Sequence, residues 1–187
     1  MDVFERARAM ILSPAAEWRR IEPEPGDVGF LFSNYAAFLA AIPPVCAFLR
    51  HGAFGWGPRL HHVHHGFFAS LFGGIVHYLA TFVALYIMAV VVDGLAPNFS
   101  TQKNPQNALK LVVYSMTPAW VAGVFVLVPG LGFLRLLALL YAVYVFWLGL
   151  PILMKAPPDR TFGYALATVV SAVILSIVLS AFVGPIV

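Results

Sequence analysis

The sequence predicts an all-α membrane protein: a polytopic bundle of five transmembrane helices preceded by a short N-terminal amphipathic interfacial helix. Three observations carry this. Five separate stretches are each long and apolar enough to cross about 30 Å of hydrocarbon, which takes roughly 20 helical residues. Of the 187 residues, 61% are hydrophobic and only 10% charged, and the mean hydropathy is +0.87, outside the range of a water-soluble domain. Apolar residues also run continuously instead of alternating, so the spans are helices that satisfy their own backbone in lipid, not barrel strands.

Residues 1–29 read as a cytoplasmic amphipathic segment. Val3, Phe4, Ala7 and Ile11 recur at helical spacing, and Ser13 is the expected N-cap of a second short helix with Pro14 at its first position. Trp18 and Ile21 then share a face. With Arg19 and Arg20 beside it, Trp18 suits an anchor in the inner headgroup layer; the alternative is that Trp18 docks under the bundle. Nine charges in the first 25 residues and the lack of an apolar core argue against a signal peptide.

Residues 30–187 hold the spans, expected at about 30–49, 67–92, 110–128, 133–154 and 162–183. The first carries Pro43-Pro44 and the small residues Ala36-Ala37 and Ala40-Ala41, which suit close helix packing or a dimer seam. Ser70 and Gly73-Gly74 play the same part in the second, which ends at Asp93. Pro118 and Pro129 punctuate the third, and Pro151 the fourth. The fifth follows a polar connection containing Lys155, Asp159 and Arg160.

If the spans alternate, Arg6, Arg8, Arg19, Arg20, Lys103, Lys110, Lys155 and Arg160 lie on one side of the membrane. Arg50, Arg59 and Arg135 lie on the other. The positive-inside rule then predicts a bacterial inner-membrane protein with its N-terminus cytoplasmic and its C-terminus outside. Asn98-Phe99-Ser100, a match to a glycosylation sequon, falls on the cytoplasmic side and reads as accidental.

Three segments resemble a known family. Ile11-Leu12-Ser13-Pro14-Ala15-Ala16-Glu17-Trp18-Arg19-Arg20-Ile21 holds a Pro-x-x-x-Trp element ahead of the spans. Tyr114-Ser115-Met116-Thr117-Pro118 holds Tyr-x-x-x-Pro, and Trp147-Leu148-Gly149-Leu150 is followed by Lys155 and Gly163-Tyr164-Ala165. Together these resemble the bacterial branch of the Ypt-interacting-protein (Yip) domain family. The resemblance implies five helices with a cytosolic N-terminus and little chemistry. Eukaryotic members are linked to Rab-type GTPases, a role the short cytoplasmic tail here gives no reason to carry over.

Few residues could carry chemistry. His77 falls near the middle of the second span, where an ionisable side chain is costly and is a functional candidate by default. Tyr114 and Asp93 complete a candidate intramembrane polar site. His61, His64 and His65 sit at i, i+3, i+4 if their segment is helical, a spacing compatible with a transition metal such as zinc. No carboxylate stands near them, since Asp and Glu are missing from Val28 to Val92. Asp93 and Asp159 are expected to be solvated or paired with Lys110, Lys155 or Arg160. Cys46 stands alone and reads as a small buried side chain.

The sequence lacks a P-loop, a dinucleotide fingerprint, His-Glu-x-x-His and Gly-x-Ser-x-Gly, so no enzyme is expected and no catalytic or cofactor-binding residue is assigned. A net charge of +3, explained by membrane orientation, gives no reason to expect nucleic-acid binding. The expected partners are the lipid bilayer, a membrane protein or a second copy of the chain. Three functional readings follow: a non-enzymatic organiser of membrane or partner proteins, a small channel or transporter with a polar path near His77, and metal handling by the His61–His65 cluster.

Overall fold

The computed structural model describes residues 2–50 and 67–183, with the backbone alone at Val183. It is a helical bundle with five helices long and apolar enough to cross a membrane: Val28–Phe48, Phe67–Phe99, Pro105–Leu127, Phe133–Leu153 and Pro158–Phe182. Among the described residues there is no strand. Two short helices, α1 (Val3–Leu12) and α2 (Pro14–Ile21), precede the spans.

The helix ends follow local chemistry. Asp27 opens span 1 by accepting a hydrogen bond from the Gly29 amide at 3.0 Å. Asn104 opens span 3 by accepting one from the Asn107 amide at 3.0 Å, with Pro105 at the first helical position. That cap starts span 3 five residues before the expected Lys110. Ser13 departs from expectation: its side chain makes no cap bond, and its carbonyl alone accepts from Ala16 and Glu17 at 3.2 and 3.1 Å.

Spans 1 and 3 are interrupted. Span 1 widens into a π-turn at Phe32–Ala36 and bends again ahead of Pro43 and Pro44. Span 3 breaks at Met116, midway through Tyr114-x-x-x-Pro118, and tightens to a 3₁₀ turn at Ala122–Leu127. Each break follows from a lost backbone donor or a shifted register.

The spans run up and down. At one end, called proximal here, Asn107 donates to the Leu153 carbonyl at 2.9 Å, and Phe99 stacks on Tyr164 with centroids 4.9 Å apart. At the distal end Arg50 donates to the Val126 carbonyl at 2.7 Å, and Phe48 meets Phe67 edge-on at 5.2 Å. Span 3 is the axis: 72% of its apolar window is buried, against 11–33% for the other four. The outward faces of spans 2, 4 and 5 expose large apolar side chains such as Leu79, Leu140 and Ile177, as lipid-facing surfaces do.

The α1–α2 hairpin packs into this bundle instead of lying apart from it. Tyr141 of span 4 donates to the Ile11 carbonyl at 2.7 Å. Tyr141 lies twelve residues in from Leu153, so the hairpin's turn reaches about 18 Å along the span from its proximal end. The sequence left two placements for Trp18, and the structure shows docking. Trp18 is fully buried, and its indole donates to the Val145 carbonyl at 2.9 Å. Trp18 is therefore anchored within the protein, whereas Arg19 and Arg20 stay exposed.

Candidate functional site

Two features stand out from the apolar bulk: a buried charged cluster between the hairpin and span 3, and a cavity nearer the distal end.

The cluster begins with the helical faces of α1 and α2. Arg6 lies on the inward face with Ala7 and Met10, and Glu17 lies on that of α2 beside Trp18 and Ile21. Both are buried, at 8% and 2% exposure. The Arg6 guanidinium stands 3.0 Å from Glu17 Oε1 as a charge pair off the hydrogen-bond line, and donates to Glu24 at 2.5 Å. Arg20 approaches the other Glu17 oxygen at 3.6 Å. Burial alone would lower the Arg6 pKa, but the Glu24 hydrogen bond and the neighbouring Tyr114, Glu24 and Glu17 reverse this and hold it above its ordinary value.

Lys110 supplies the second buried cation, at 3% exposure. It donates to the carbonyls of Ile21 at 3.2 Å, Glu22 at 3.3 Å and Glu24. These carbonyls lie at and just past the C-terminal end of α2, where a cation is favourable, and that of Ile21 also accepts from the Glu24 amide at 3.1 Å. Arg6 and Lys110 against Glu17 and Glu24 make a set with no net charge.

Tyr114 is the hub above it. Arg6 lies over its ring at 5.6 Å, and Tyr35 and Trp18 meet it edge-on at 4.6 and 6.3 Å. Thr117 donates back to the Tyr114 carbonyl at 2.7 Å, so the 2.7 Å contact between the Tyr35 and Thr117 hydroxyls has Tyr35 as donor. Ser115 Oγ is buried without a hydrogen-bond partner among the described residues.

Gly149 leaves the gap that admits Trp18. A Cβ there would stand 2.7 Å from the indole ring and 2.5 Å from Leu111. In the same way Tyr164 donates to the Val92 carbonyl at 2.5 Å, next to Gly163 packed on Phe99.

The cavity has a volume of about 770 Å³ and lies among all five spans. His77 lines it, together with Arg135. Tyr114 does not, so the two candidate polar residues are not brought together. Asp93, the third, stands at the proximal end of span 2 with one buried oxygen unpaired among the described residues. The partners expected for it are engaged elsewhere: Lys110 with α2, Lys155 with Glu22, and Arg160 with Asp159 at 3.4 Å. The candidate metal ligands His61, His64 and His65 lie outside the described residues. Among those described, no group of three or more His, Cys, Asp and Glu is placed to hold a metal ion.

Comparison with known proteins agrees with the architecture. The model of the Yip1 domain matches residues 8–180. The chain belongs to the Yip1 domain family. It is also similar to the inner membrane protein YohC of Escherichia coli K12 and of the O6:H1 strain, each 23% identical over 175 residues that cover 90% of this chain and 88% of the relative. No solved structure matches the chain significantly.

Within this Yip1 domain, the segments that carried the family resemblance meet in space. Trp18 of Pro-x-x-x-Trp, Tyr114 of Tyr-x-x-x-Pro and Gly149 of Trp-Leu-Gly-Leu form one contact set that receives the hairpin. Sequence reasoning missed Arg6, Glu17, Glu24 and Lys110 as a group and used Arg135 only as an orientation marker. The available signal was Arg6 falling on the same helical stripe as Ala7 and Met10.

Proposed function

We propose that this protein is a non-enzymatic integral protein of a bacterial cytoplasmic membrane. Its five-span bundle organises membrane or partner proteins, with the N-terminus cytoplasmic and the C-terminus outside. The observation that carries this reading is that the buried cations are satisfied within the protein, Arg6 by Glu17 and Glu24 and Lys110 by backbone carbonyls at the end of α2. Arg6, Glu17, Glu24 and Lys110 hold the hairpin in place, and no acid–base pair among them faces the cavity. The relative named as an inner membrane protein and the excess of cationic residues on the proximal side support the location and orientation. Reporter fusions at both termini test the topology; the two termini reading out in one compartment would sink it. Cross-linking in intact cells followed by purification tests the organising role, and recovery of no specific protein or lipid partner would overturn it.

A second reading, a small carrier or channel, draws on one observation: His77 lines the cavity. Purified protein in liposomes should then pass an ion or small solute, and His77→Ala should abolish the flux. A flux unchanged by that substitution removes the reading.

A further inference from the structure

The cavity's lining says what it can hold. Its wall on span 2 runs from Gly73 to Met88, about 22 Å along the helix, within a hydrocarbon layer about 30 Å thick. Small residues that normally bring helices together, Gly73, Ala80, Ala84, Ala119 and Ala172, here border open space. The space is nearly all apolar, and water needs two to four polar partners to remain in such a place.

The polar residues on the wall divide into two groups. Thr81, Ser176 and Ser180 spend their hydroxyl hydrogens on carbonyls of their own helices, at 2.9, 2.8 and 2.8 Å. Arg135 and His77 make no side-chain hydrogen bond or ion pair among the described residues. Arg135 stands two residues inside the distal end of span 4, and His77 stands ten residues inside that of span 2. His77, Arg135 and Leu136 are exposed, so the space is reached from outside the protein.

From this arrangement we infer that the cavity is a lipid site. It takes one acyl chain of an anionic phospholipid, whose phosphate is held by Arg135 at the distal interface. The volume lies within the range of small-molecule sites. The medium at that depth supplies acyl chains. A guanidinium with no partner among the described residues can hold the phosphate of any phospholipid, and its charge favours an anionic headgroup over phosphatidylcholine, whose choline cation offsets the phosphate. The site is independent of the organising role proposed above.

Trp120 provides the readout, because it lines the cavity yet is only 4% exposed, whereas Trp147 faces outward at 41%. The full chain is reconstituted in vesicles carrying a minor fraction of brominated phosphatidylcholine or brominated phosphatidylglycerol. The Trp120 component is taken as the difference from Trp120→Phe. Brominated phosphatidylglycerol should quench Trp120 about fivefold more effectively than phosphatidylcholine, the ratio that one cation near an anionic lipid commands. Arg135→Ala should bring the two lipids to parity and leave quenching of Trp147 unchanged. Ala84→Leu, which narrows the cavity with Arg135 intact, should weaken Trp120 quenching by both. Trp120 untouched by either lipid, or a phosphatidylglycerol preference that survives Arg135→Ala, overturns the inference. So does displacement of the brominated lipid by inorganic phosphate alone, which would assign Arg135 to a free anion.

Discussion

Gly149 seats Trp18: a Cβ on the glycine would come within 2.7 Å of the indole ring, and that ring is fully buried. The contact joins an N-terminal helix to the fourth span across most of the chain. Gly149→Ala must displace both the ring and the flexible end of Leu111, an overpacking that costs about 1–3 kcal/mol. Trp18→Ala removes the rigid obstacle and opens space into which the Leu111 side chain can turn, so Gly149→Ala should cost much less in that background than in the native one. Thermal unfolding of the four proteins of this cycle in detergent measures the coupling; additive costs would show that the two residues do not share a site.

Removing Arg6 leaves the buried Glu17 carboxylate with only the exposed Arg20, at 3.6 Å, as a partner. Arg6→Met should therefore destabilise the protein by about 3–5 kcal/mol. Replacing both residues with Met and Leu removes the stranded carboxylate and should recover a large part of the loss, leaving Glu24 to reach water from its partly exposed position. Chemical denaturation of the single and double variants checks this. A double variant no more stable than Arg6→Met would show that the pair is not the operative contact.

Lys110 ties the end of α2 to span 3 through three backbone carbonyls. Lys110→Met takes away those charge-assisted bonds, each worth about 1.5–3 kcal/mol at most, while the spans remain embedded. The expected effect is local: faster tryptic cleavage at Arg19 and Arg20, with the spans still protected. Cleavage at the native rate would mean that α2 is held by Trp18 and the Arg6–Glu17 pair without help from Lys110.

The five spans were legible because a bilayer demands long apolar runs and little else in this chain supplies them. Their edges were less so. Span 3 begins at Pro105 because Asn104 caps a turn that also holds polar Gln106 and Asn107, residues a hydropathy reading assigns to a loop. The amphipathic stripes of α1 and α2 were equally visible, but a stripe does not say whether its partner is lipid or protein. Arg6 and Glu17 could not be read as part of a buried group because their neighbours Glu24, Lys110 and Tyr114 come from elsewhere in the chain. Arg135 and His77 are far apart in sequence, and only the fold sets them on one cavity wall.

Lys155 offers a test in which backbone and charge effects oppose each other. It adopts a positive φ of 55° in the turn between spans 4 and 5 and pairs with Glu22 through an exposed side chain. An exposed pair of this kind contributes about 0–1 kcal/mol, whereas a side chain in the left-handed region costs about 1 kcal/mol relative to glycine. Lys155→Ala loses the pair and keeps the strain; Lys155→Gly loses the pair and relieves it. The glycine variant should therefore melt at a higher temperature than the alanine variant and close to the native protein. If alanine and glycine prove equally damaging, the Glu22 contact dominates the turn, and the hairpin's grip on the proximal end would depend more on that contact than exposed pairs normally allow.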